Sequence, residues 1–205
     1  MIIRNKKPII FIGYPNSTMT KEYQEFFAQD GILDTSVITP KDFFKKKNKE
    51  ENQYMVAFSL DMKERKEVCD YLDEKNLDCV TWIHDTCVVH FPTAKIGKGI
   101  GIAAFSCVLR ESEIGNHSFV APYCLISHGT KLGKGCVLHS GVKIAGKTQI
   151  GENCTFGFGS SVINKVEICN NVHLGAFSNI AKNIEIPGFY LGWNARKSRD
   201  IEIDI

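Results

Sequence analysis

Large apolar residues recur at every sixth position from residue 96 to residue 186. Four places after many of them stands a small residue, as at Ser106, Cys124, Thr130 and Ser160. A fixed period with one large and one small inward position predicts a β-helix built from hexapeptides, three hexads to a triangular coil. Residues eighteen apart should then stack about 4.8 Å apart, in roughly five coils. The large residues are Ile96, Ile102, Val108, Ile114, Val120, Ile126, Leu132, Leu138, Ile144, Ile150, Phe156, Val162, Ile168, Leu174, Ile180 and Ile186.

Residues 1–83 alternate apolar runs of strand length with helical patterns. The predicted strands are "KKPIIFIGY", "TSVIT", "YMVAFSL" and "DCVTWI". Helices are predicted for "MTKEYQEFFAQDG", capped by Ser17 or Thr18 and closed by Gly31, and for "DMKERKEVCDYLDEKN", with Asp61 near its cap. The charged run "KKKNKEENQ" is predicted to be a solvated loop. This order predicts a small α/β (Rossmann-like) unit with a parallel or mixed sheet.

Charge, hydropathy and cysteine usage narrow the class of protein. A net charge of +2 argues against a dedicated nucleic-acid binder. The early apolar run "PIIFIGY" is too short to cross a membrane and lacks the pattern of a signal peptide, so a cytoplasmic protein without membrane insertion is expected. Cys124, Cys136 and Cys154 fall in the small inward position, where sulfur packs as a modest hydrophobe in a reduced protein.

The whole chain resembles the hexapeptide-repeat acyltransferases, in particular the group that acetylates sialic acids or nucleotide-linked amino sugars. The resemblance rests on the α/β unit, the hexapeptide repeat, the segments "VAFSLDMKERKEV" and "LDCVTWIHDTCVV", and the tail "GFYLGWNARK". It implies a left-handed β-helix, a homotrimer, acetyl-CoA as co-substrate and no metal. The implied domains are an acceptor-binding α/β domain at 1–83, the β-helix at 84–187 and a CoA-contacting tail at 188–205.

The resemblance also implies catalytic residues. "ISHGTK" places His128 at the third place of its hexad, where the family has its general base. Gly146, eighteen residues later, is implied as the backbone donor to the oxyanion. The family carboxylate that follows the histidine is replaced by Gly129. Because Glu111 precedes Gly129 by eighteen residues, we expect Glu111 to supply the missing charge from the adjacent coil.

The remaining implied contacts concern the acceptor and CoA. In place of the family's Gly-rich turn the chain has "GYPNST", in which Pro15 removes a backbone donor, so the nucleotide itself stays open. The predicted acceptor-binding residues are Gly13, Tyr14, Asn16, Asp34 and Arg65. The predicted cofactor-binding residues are His139, Gly146, Gly159, Ala176, Trp193, Arg196 and Lys197.

The resemblance implies N-acetylation of a nucleotide-linked amino sugar in surface-polysaccharide or glycan biosynthesis. O-acetylation of a sialic-type sugar is the alternative within the same class. The second alternative belongs to another class, the zinc-dependent gamma-type carbonic anhydrases, which resemble this chain in their left-handed β-helix trimer and bind zinc through histidines at the subunit boundary. The candidate histidines here are His117, His128 and His139, which are each eleven residues apart. A non-enzymatic trimeric scaffold is the third alternative. The "HDTCVVH" segment, with His84, Cys87 and His90 three apart, is a poor metal site because alternate side chains of extended backbone diverge.

Overall fold

The computed structural model describes residues 2–3, 7–59, 61–193 and 196–199, with 2–3 and 196–199 described by their backbone alone. The chain divides into two compact units between Thr81 and Trp82. The first unit is an α/β unit and the second is a parallel β-solenoid.

The α/β unit is built on a three-stranded parallel sheet of order β3-β2-β4. Helix α1 begins after Ser17, whose Oγ accepts from the backbone N–H of Thr20, and α3 begins after Asp61, which accepts from Glu64 N–H. Both predicted helices and their caps are confirmed. The elements are β1 (Ile2–Ile3), β2 (Ile9–Gly13), α1 (Thr18–Gln29), β3 (Thr35–Ile38), α2 (Pro40–Lys45), a 3₁₀ turn (Lys49–Glu51), β4 (Gln53–Ala57) and α3 (Met62–Glu74).

Two expectations for the first 83 residues were wrong. The run "KKKNKEENQ" is not all loop, because it holds the end of α2 and the 3₁₀ turn Lys49–Glu51. Helix α2 was missed because it is short; it is capped by Thr39, with Pro40 at its start. The run "DCVTWI" is not one strand of the α/β sheet. Cys79 bridges to Tyr54, but Trp82 pairs with Gly101 in the solenoid.

The solenoid stacks short strands into three parallel sheets. Strands eighteen residues apart pair in register, as Ile126 does with Ile144, so the predicted hexapeptide coil is confirmed. Its sheets run β5-β8-β11-β14-β17-β20-β22, β7-β10-β13-β16-β19 and β6-β9-β12-β15-β18-β21. The strands are β5 (Thr81–Ile83), β6 (Val88–Val89), β7 (Lys95–Ile96), β8 (Gly101–Ile102), β9 (Cys107–Val108), β10 (Glu113–Ile114), β11 (Phe119–Val120), β12 (Leu125–Ile126), β13 (Lys131–Leu132), β14 (Val137–Leu138), β15 (Lys143–Ile144), β16 (Gln149–Ile150), β17 (Thr155–Phe156), β18 (Ser161–Val162), β19 (Glu167–Ile168), β20 (Val172–Leu174), β21 (Asn179–Ile180), β22 (Gly188–Leu191) and β23 (Arg196–Arg199).

The small inward residues tie neighbouring coils together as well as filling the core. Ser118 Oγ donates to the carbonyl oxygen of Gly133 at 3.1 Å and accepts from Cys136 N–H at 3.2 Å. The thiols of Cys124, Cys136 and Cys154 are buried and free of disulfides, as predicted. Burial raises the pKa of the Cys124 thiol to about 11, so it stays protonated at neutral pH.

Each coil turns at three corners, and the fourth residue of every hexad from 99 to 177 has a positive φ. We name the corners by the residues on them. The histidine corner comprises 110–111, 128–129, 146–147 and 164–165. The aromatic corner comprises 104–105, 122–123, 140–141, 158–159 and 176–177. The asparagine corner comprises 98–99, 116–117, 134–135, 152–153 and 170–171.

The six-residue period stops before its predicted last member. Ile186 is exposed, and Ile184 is buried instead, bridging to Ile168 sixteen residues earlier. Loss of two residues from the last hexad therefore moves the inward position. Strand β22 then adds to β20 in parallel, and β23 pairs with β22 in antiparallel fashion and ends the sheet.

Candidate active site

His128 and Gly146 face each other across two adjacent coils at the histidine corner. A Cβ built on Gly146 would lie 2.6 Å from His128 Cε1, 2.7 Å from Nε2 and 3.0 Å from Nδ1. The exposed imidazole therefore occupies the space that any side chain at position 146 would need. Only glycine at 146 permits this position of the ring.

The backbone around the pair is held rigidly, yet one donor stays available. Lys147 N–H donates to the carbonyl oxygen of His128 at 2.8 Å, and Gly129 N–H donates to that of Arg110 at 3.0 Å. The backbone N–H of Gly146 donates to no protein acceptor within the described residues. This corner thus offers a base and an unused donor on adjacent coils.

The structure does not bring Glu111 to the imidazole. His128 leans towards Gly146 on the following coil, whereas Glu111 is exposed on the preceding coil. No hydrogen bond or ion pair joins Glu111 to His128 in the part of the chain described. The polar contact of the ring is instead Ser127, whose Oγ lies 3.2 Å from Nδ1.

A shallow groove borders the histidine corner along the sheet of β12, β15 and β18. Its volume is about 380 Å³, and its lining combines apolar side chains with hydroxyls, amides and the charged side chain of Lys143. Leu125, Ala145 and Ile163 supply apolar lining, and Ser127 and Asn164 bring polar groups to the end near His128. The groove runs parallel to the stack of coils, so it suits an extended and mostly apolar chain.

The predicted cofactor residues His139, Gly159 and Ala176 lie on or beside the aromatic corner, away from His128 and Gly146. Consecutive corners are separated by about five residues of extended chain, or roughly 15 Å. Within one chain these two sets of residues therefore do not meet. His139 is half-buried, with its ring 5.0 Å from that of Phe158, and burial lowers the pKa of its imidazole.

The aromatic corner also carries large rings that face outward. Phe105 and Tyr123 stack with ring centroids 5.2 Å apart, and both are more than half exposed. Phe177 is 77% exposed and its ring leans over Gly159, where a Cβ would meet it at 2.8 Å. The hexad period does not predict these rings, because their column repeats only every eighteen residues and is interrupted by Gly141 and Gly159.

The tail predicted to contact CoA is described only in part. Trp193 is 84% exposed and lies two residues after the end of β22. Arg196 and Lys197 belong to β23, and their side chains lie outside the described residues, as do Asn194 and Ala195 altogether. The prediction that this tail meets CoA stays a prediction.

Three predicted acceptor residues gather at one edge of the α/β sheet. Gly13 ends β2, and Tyr14 and Asn16 are exposed in the turn before α1. A Cβ at Gly13 would come 2.7 Å from the carbonyl oxygen of Ala57, so close packing on β4 requires glycine there. Tyr14 donates its hydroxyl to Glu64, and this bond raises the pKa of the phenol to about 12.

Asp34 and Arg65 do not join that edge as exposed ligands. Ile9 pairs with Thr35, so Asp34 lies just before β3, roughly 16 Å along the sheet from Gly13. Thr39 follows β3 at the same edge as Gly13, the edge where parallel sheets bind ligands. Thr39 was not among the predicted acceptor residues, although the proline that follows it in the sequence indicates that β3 ends there. Arg65 is 1% exposed and donates from Nη1 to the carbonyl oxygen of Phe58 at 2.6 Å.

The three histidines considered for zinc lie at three different positions around the coil. His117 is on the asparagine corner and 1% exposed, so it cannot reach out to another subunit. His128 is exposed on the histidine corner, and His139 precedes the aromatic corner. Among the described residues no group of three or more histidine, cysteine or acidic side chains is arranged to hold a metal ion.

No helix in the described part of the chain has the length and apolar character needed to span a membrane.

Comparisons with known proteins agree with this architecture. The family model "Bacterial transferase hexapeptide (six repeats)" matches residues 111–146, 129–164 and 147–182. No curated protein sequence gives a significant match.

Solved structures match almost the whole chain. A histidine-to-asparagine variant of perosamine N-acetyltransferase from Caulobacter crescentus, in complex with CoA and GDP-perosamine, is 20% identical with a TM-score of 0.79, over 96% of this chain and 99% of that one. The acetyltransferase domain of PglB from Neisseria gonorrhoeae is 20% identical with a TM-score of 0.82, over 94% and 100%.

The same domain in complex with acetyl coenzyme A gives 19% identity and a TM-score of 0.61, over 94% of this chain and 100% of that one. At such identities the likeness concerns the fold. The predicted resemblance to the hexapeptide-repeat acyltransferases is therefore confirmed in the repeat of residues 111–182 and in the fold of the chain.

Proposed function

We propose that this protein transfers the acetyl group of acetyl-CoA to the amino group of a nucleotide-linked amino sugar. The observation that carries the proposal is the pair at the histidine corner, with the His128 imidazole against the Cα of Gly146 and the Gly146 N–H unused. The fold shared with N-acetyltransferases whose structures hold CoA and GDP-perosamine supports the same chemistry. We also propose that the coil is left-handed, as the family resemblance implies.

In the proposed reaction the acceptor amine attacks the carbonyl carbon of the thioester. His128 takes the proton that the nitrogen loses, and Gly146 N–H donates to the oxygen that becomes negative in the tetrahedral intermediate. The C–S bond then breaks, the C–N bond remains, and the departing thiolate leaves as CoA once protonated. An unprotonated imidazole is required at the outset, because only that form can accept the proton.

The groove beside Ser127 is the proposed position of the pantetheine arm of CoA. Its lining of Leu125, Ala145 and Ile163 matches the apolar character of that arm. Lys147 and Lys165 are exposed along the same corner and would attract the phosphates. The groove is open on one side, so a further surface is needed to enclose the arm.

We propose that a second copy of the chain supplies that surface, as expected for a homotrimer. The predicted cofactor residues His139, Gly159 and Ala176 stand at a different corner from His128. If the aromatic corner of one copy faces the histidine corner of the next, the two sets come together around one CoA. The exposed rings of Phe105, Tyr123 and Phe177 would be covered by the same contact.

The nucleotide part of the acceptor is proposed to bind the edge of the α/β sheet formed by Gly13, Tyr14, Asn16 and Thr39. Ligands of open α/β sheets bind beyond the carboxyl ends of the strands, and this edge is followed by the N-terminus of α1. Tyr14, whose ring packs edge-on against Phe58 and whose hydroxyl is held by Glu64, presents a fixed aromatic face there.

The proposal is tested by following thiol release from acetyl-CoA with nucleotide amino sugars and with free sialic-type sugars. We expect turnover with an amino acceptor. His128→Ala should lower kcat at least about 100-fold through loss of the base, with the melting temperature unchanged. The matched control His90→Ala removes an exposed histidine outside the site and should keep full activity. Retained turnover in His128→Ala would contradict the assignment, and turnover only with hydroxyl acceptors would make the protein an O-acetyltransferase.

A further inference from the structure

Ser127 is the residue in polar contact with the imidazole of the candidate base. Its Oγ lies 3.2 Å from His128 Nδ1, and no other side-chain hydrogen bond to this ring is described. We infer that Ser127 is a positioning residue that holds His128 with its proton on Nδ1 and with Nε2 free to accept. The inference rests on the proposed function, because it assigns Nε2 as the atom that takes the proton from the acceptor.

The tautomer follows from the roles that the two groups must play. A neutral imidazole carries one proton, so an Nδ1–H that donates to Ser127 Oγ leaves Nε2 as an acceptor. Nε2 lies 2.7 Å and Nδ1 lies 3.0 Å from the Cβ position of Gly146, so both ring nitrogens border this glycine. Nε2 is the one that makes no side-chain hydrogen bond among the described residues, because the Ser127 contact is to Nδ1. The reverse tautomer would place a proton on the nitrogen that has to receive one. A serine hydroxyl can donate or accept, and in the inferred arrangement Ser127 Oγ accepts from Nδ1–H and so stabilises the reactive form of the base.

The serine is itself held in place by its backbone and its neighbours. Its N–H donates to the carbonyl oxygen of Ile144 at 3.0 Å, and its own carbonyl oxygen accepts from Ser112 Oγ at 2.9 Å. Residues at the same position on the preceding coil and on the two following coils are Leu109, Ala145 and Ile163, which have no hydroxyl. Ser127 is therefore the polar residue among the four stacked positions 109, 127, 145 and 163, and it stands directly before His128.

No charged side chain at the histidine corner is described as a hydrogen-bond partner of the His128 imidazole. Arg110 and Glu111 are exposed on the preceding coil and Lys147 is exposed on the following one. The Lys147 Cγ lies 3.4 Å from the Cβ position of Gly129, so an alkyl chain covers the place next to the histidine where a carboxylate would otherwise stand. A neutral hydroxyl beside a lysine therefore replaces the carboxylate partner that general-base histidines often have.

The direct test is the tautomer of His128, read by two-bond nitrogen–proton correlation NMR of the protein with ¹⁵N-labelled histidine, above the pH at which the imidazole titrates. The His128→Ala spectrum identifies the signals. The wild type should show mainly the Nδ1–H form. Ser127→Ala should lose that preference, and Ser127→Thr, which keeps a hydroxyl at a position where a later coil carries the β-branched Ile163, should retain it. Ser36→Ala, which removes an exposed hydroxyl from β3, is the control and should match wild type.

The kinetic test separates positioning from a merely structural role. Ser127→Ala should lower kcat about 3- to 10-fold, as expected for one hydrogen bond. The acid limb of kcat/KM should also move to lower pH, because the imidazolium loses an acceptor. Ser127→Thr should restore both values.

An unchanged tautomer and acid limb in Ser127→Ala would overturn the inference. So would a Glu111→Gln variant that changes both while Ser127→Ala changes neither. Because the tautomer is measured without substrate, absence of acetyl transfer by the wild type would contradict the proposed function and leave the contact between Ser127 and His128 separately testable.

Discussion

At the scale of single residues, the candidate site depends on the absence of one side chain. Gly146 is required because the imidazole of His128 fills the space in which a Cβ would stand. Gly129 is different, since a Cβ there would meet only Lys147, at 3.4 Å. The sequence does not distinguish the two glycines. Gly146 leaves room for the imidazole of His128, whereas Gly129 stands where the resembling family has a carboxylate.

Gly146→Ala should therefore displace the imidazole and lower kcat by on the order of 100-fold, as for loss of a positioned base. The expected cause is the 2.6 Å approach of the new methyl group to Cε1 of His128. Steady-state kinetics with acetyl-CoA measure the effect. The control is Gly135→Ala on the asparagine corner, where a Cβ meets nothing within 4 Å.

At Gly135 the backbone has a φ of 69°, so alanine should cost about 1 kcal/mol of stability and leave kcat unchanged. If Gly146→Ala retained wild-type kcat, the contact between His128 and Gly146 would have no catalytic meaning.

At the scale of the element, each coil is joined to the next through backbone bonds and through inward hydroxyls. Ser118 bridges two coils, because its Oγ donates to Gly133 and accepts from Cys136 N–H. Ser160 occupies the equivalent place on another coil, but its buried Oγ has no hydrogen-bond partner among the described residues. Two serines in the same repeat position thus have opposite energetic roles.

Ser118→Ala should lower the free energy of unfolding by about 1–3 kcal/mol, because the buried N–H of Cys136 loses its acceptor. Ser160→Ala should be neutral or slightly stabilising, because it removes a buried hydroxyl that makes no bond. Denaturant unfolding of the two variants at one protein concentration measures the difference. Equal destabilisation by both substitutions would show that the inward hydroxyls contribute through volume alone.

At the scale of the whole molecule, stability should depend on pH through two half-buried histidines. Burial lowers the pKa of His139, beside Phe158, and of His173, which pairs with Thr155 on the sheet surface. In the unfolded chain both imidazoles return to the ordinary pKa of about 6.5 and bind protons more readily than in the folded state. The unfolded state is then favoured by acid.

The free energy of unfolding should therefore be constant above pH ~7 and should fall as the pH drops below about 6.5. Denaturant titrations from pH ~8 to ~5.5 measure it, in a range where ordinary carboxylates stay ionised. The double variant His139→Gln and His173→Gln should flatten the dependence. His90→Gln, which changes an exposed histidine, should leave it unaltered. A double variant with the wild-type slope would contradict the role of burial.

Much of the fold could be predicted from the chain because the repeat is local. Hexads from 96 to 180 put one large residue inward every time, and each coil pairs with its neighbour at a fixed eighteen residues. The helices α1 and α3 were predicted from their caps, Ser17 and Asp61. Short elements without a repeat, such as α2, gave too weak a signal, and the course of "DCVTWI" depended on which sheet accepted Trp82.

The amino-acid pattern was enough to predict the solenoid, the α/β unit before it and the place of His128 in a hexad, because periodic burial and capping act over a few residues. Which groups meet at the histidine corner could be seen only in the folded chain, because contacts between coils depend on the direction in which each side chain leans. In the structure the His128 imidazole leans towards Gly146, and no hydrogen bond or ion pair joins Glu111 to it among the described residues. The fold also sets Ser127 against Nδ1, buries Arg65 and places Asp34 just before β3.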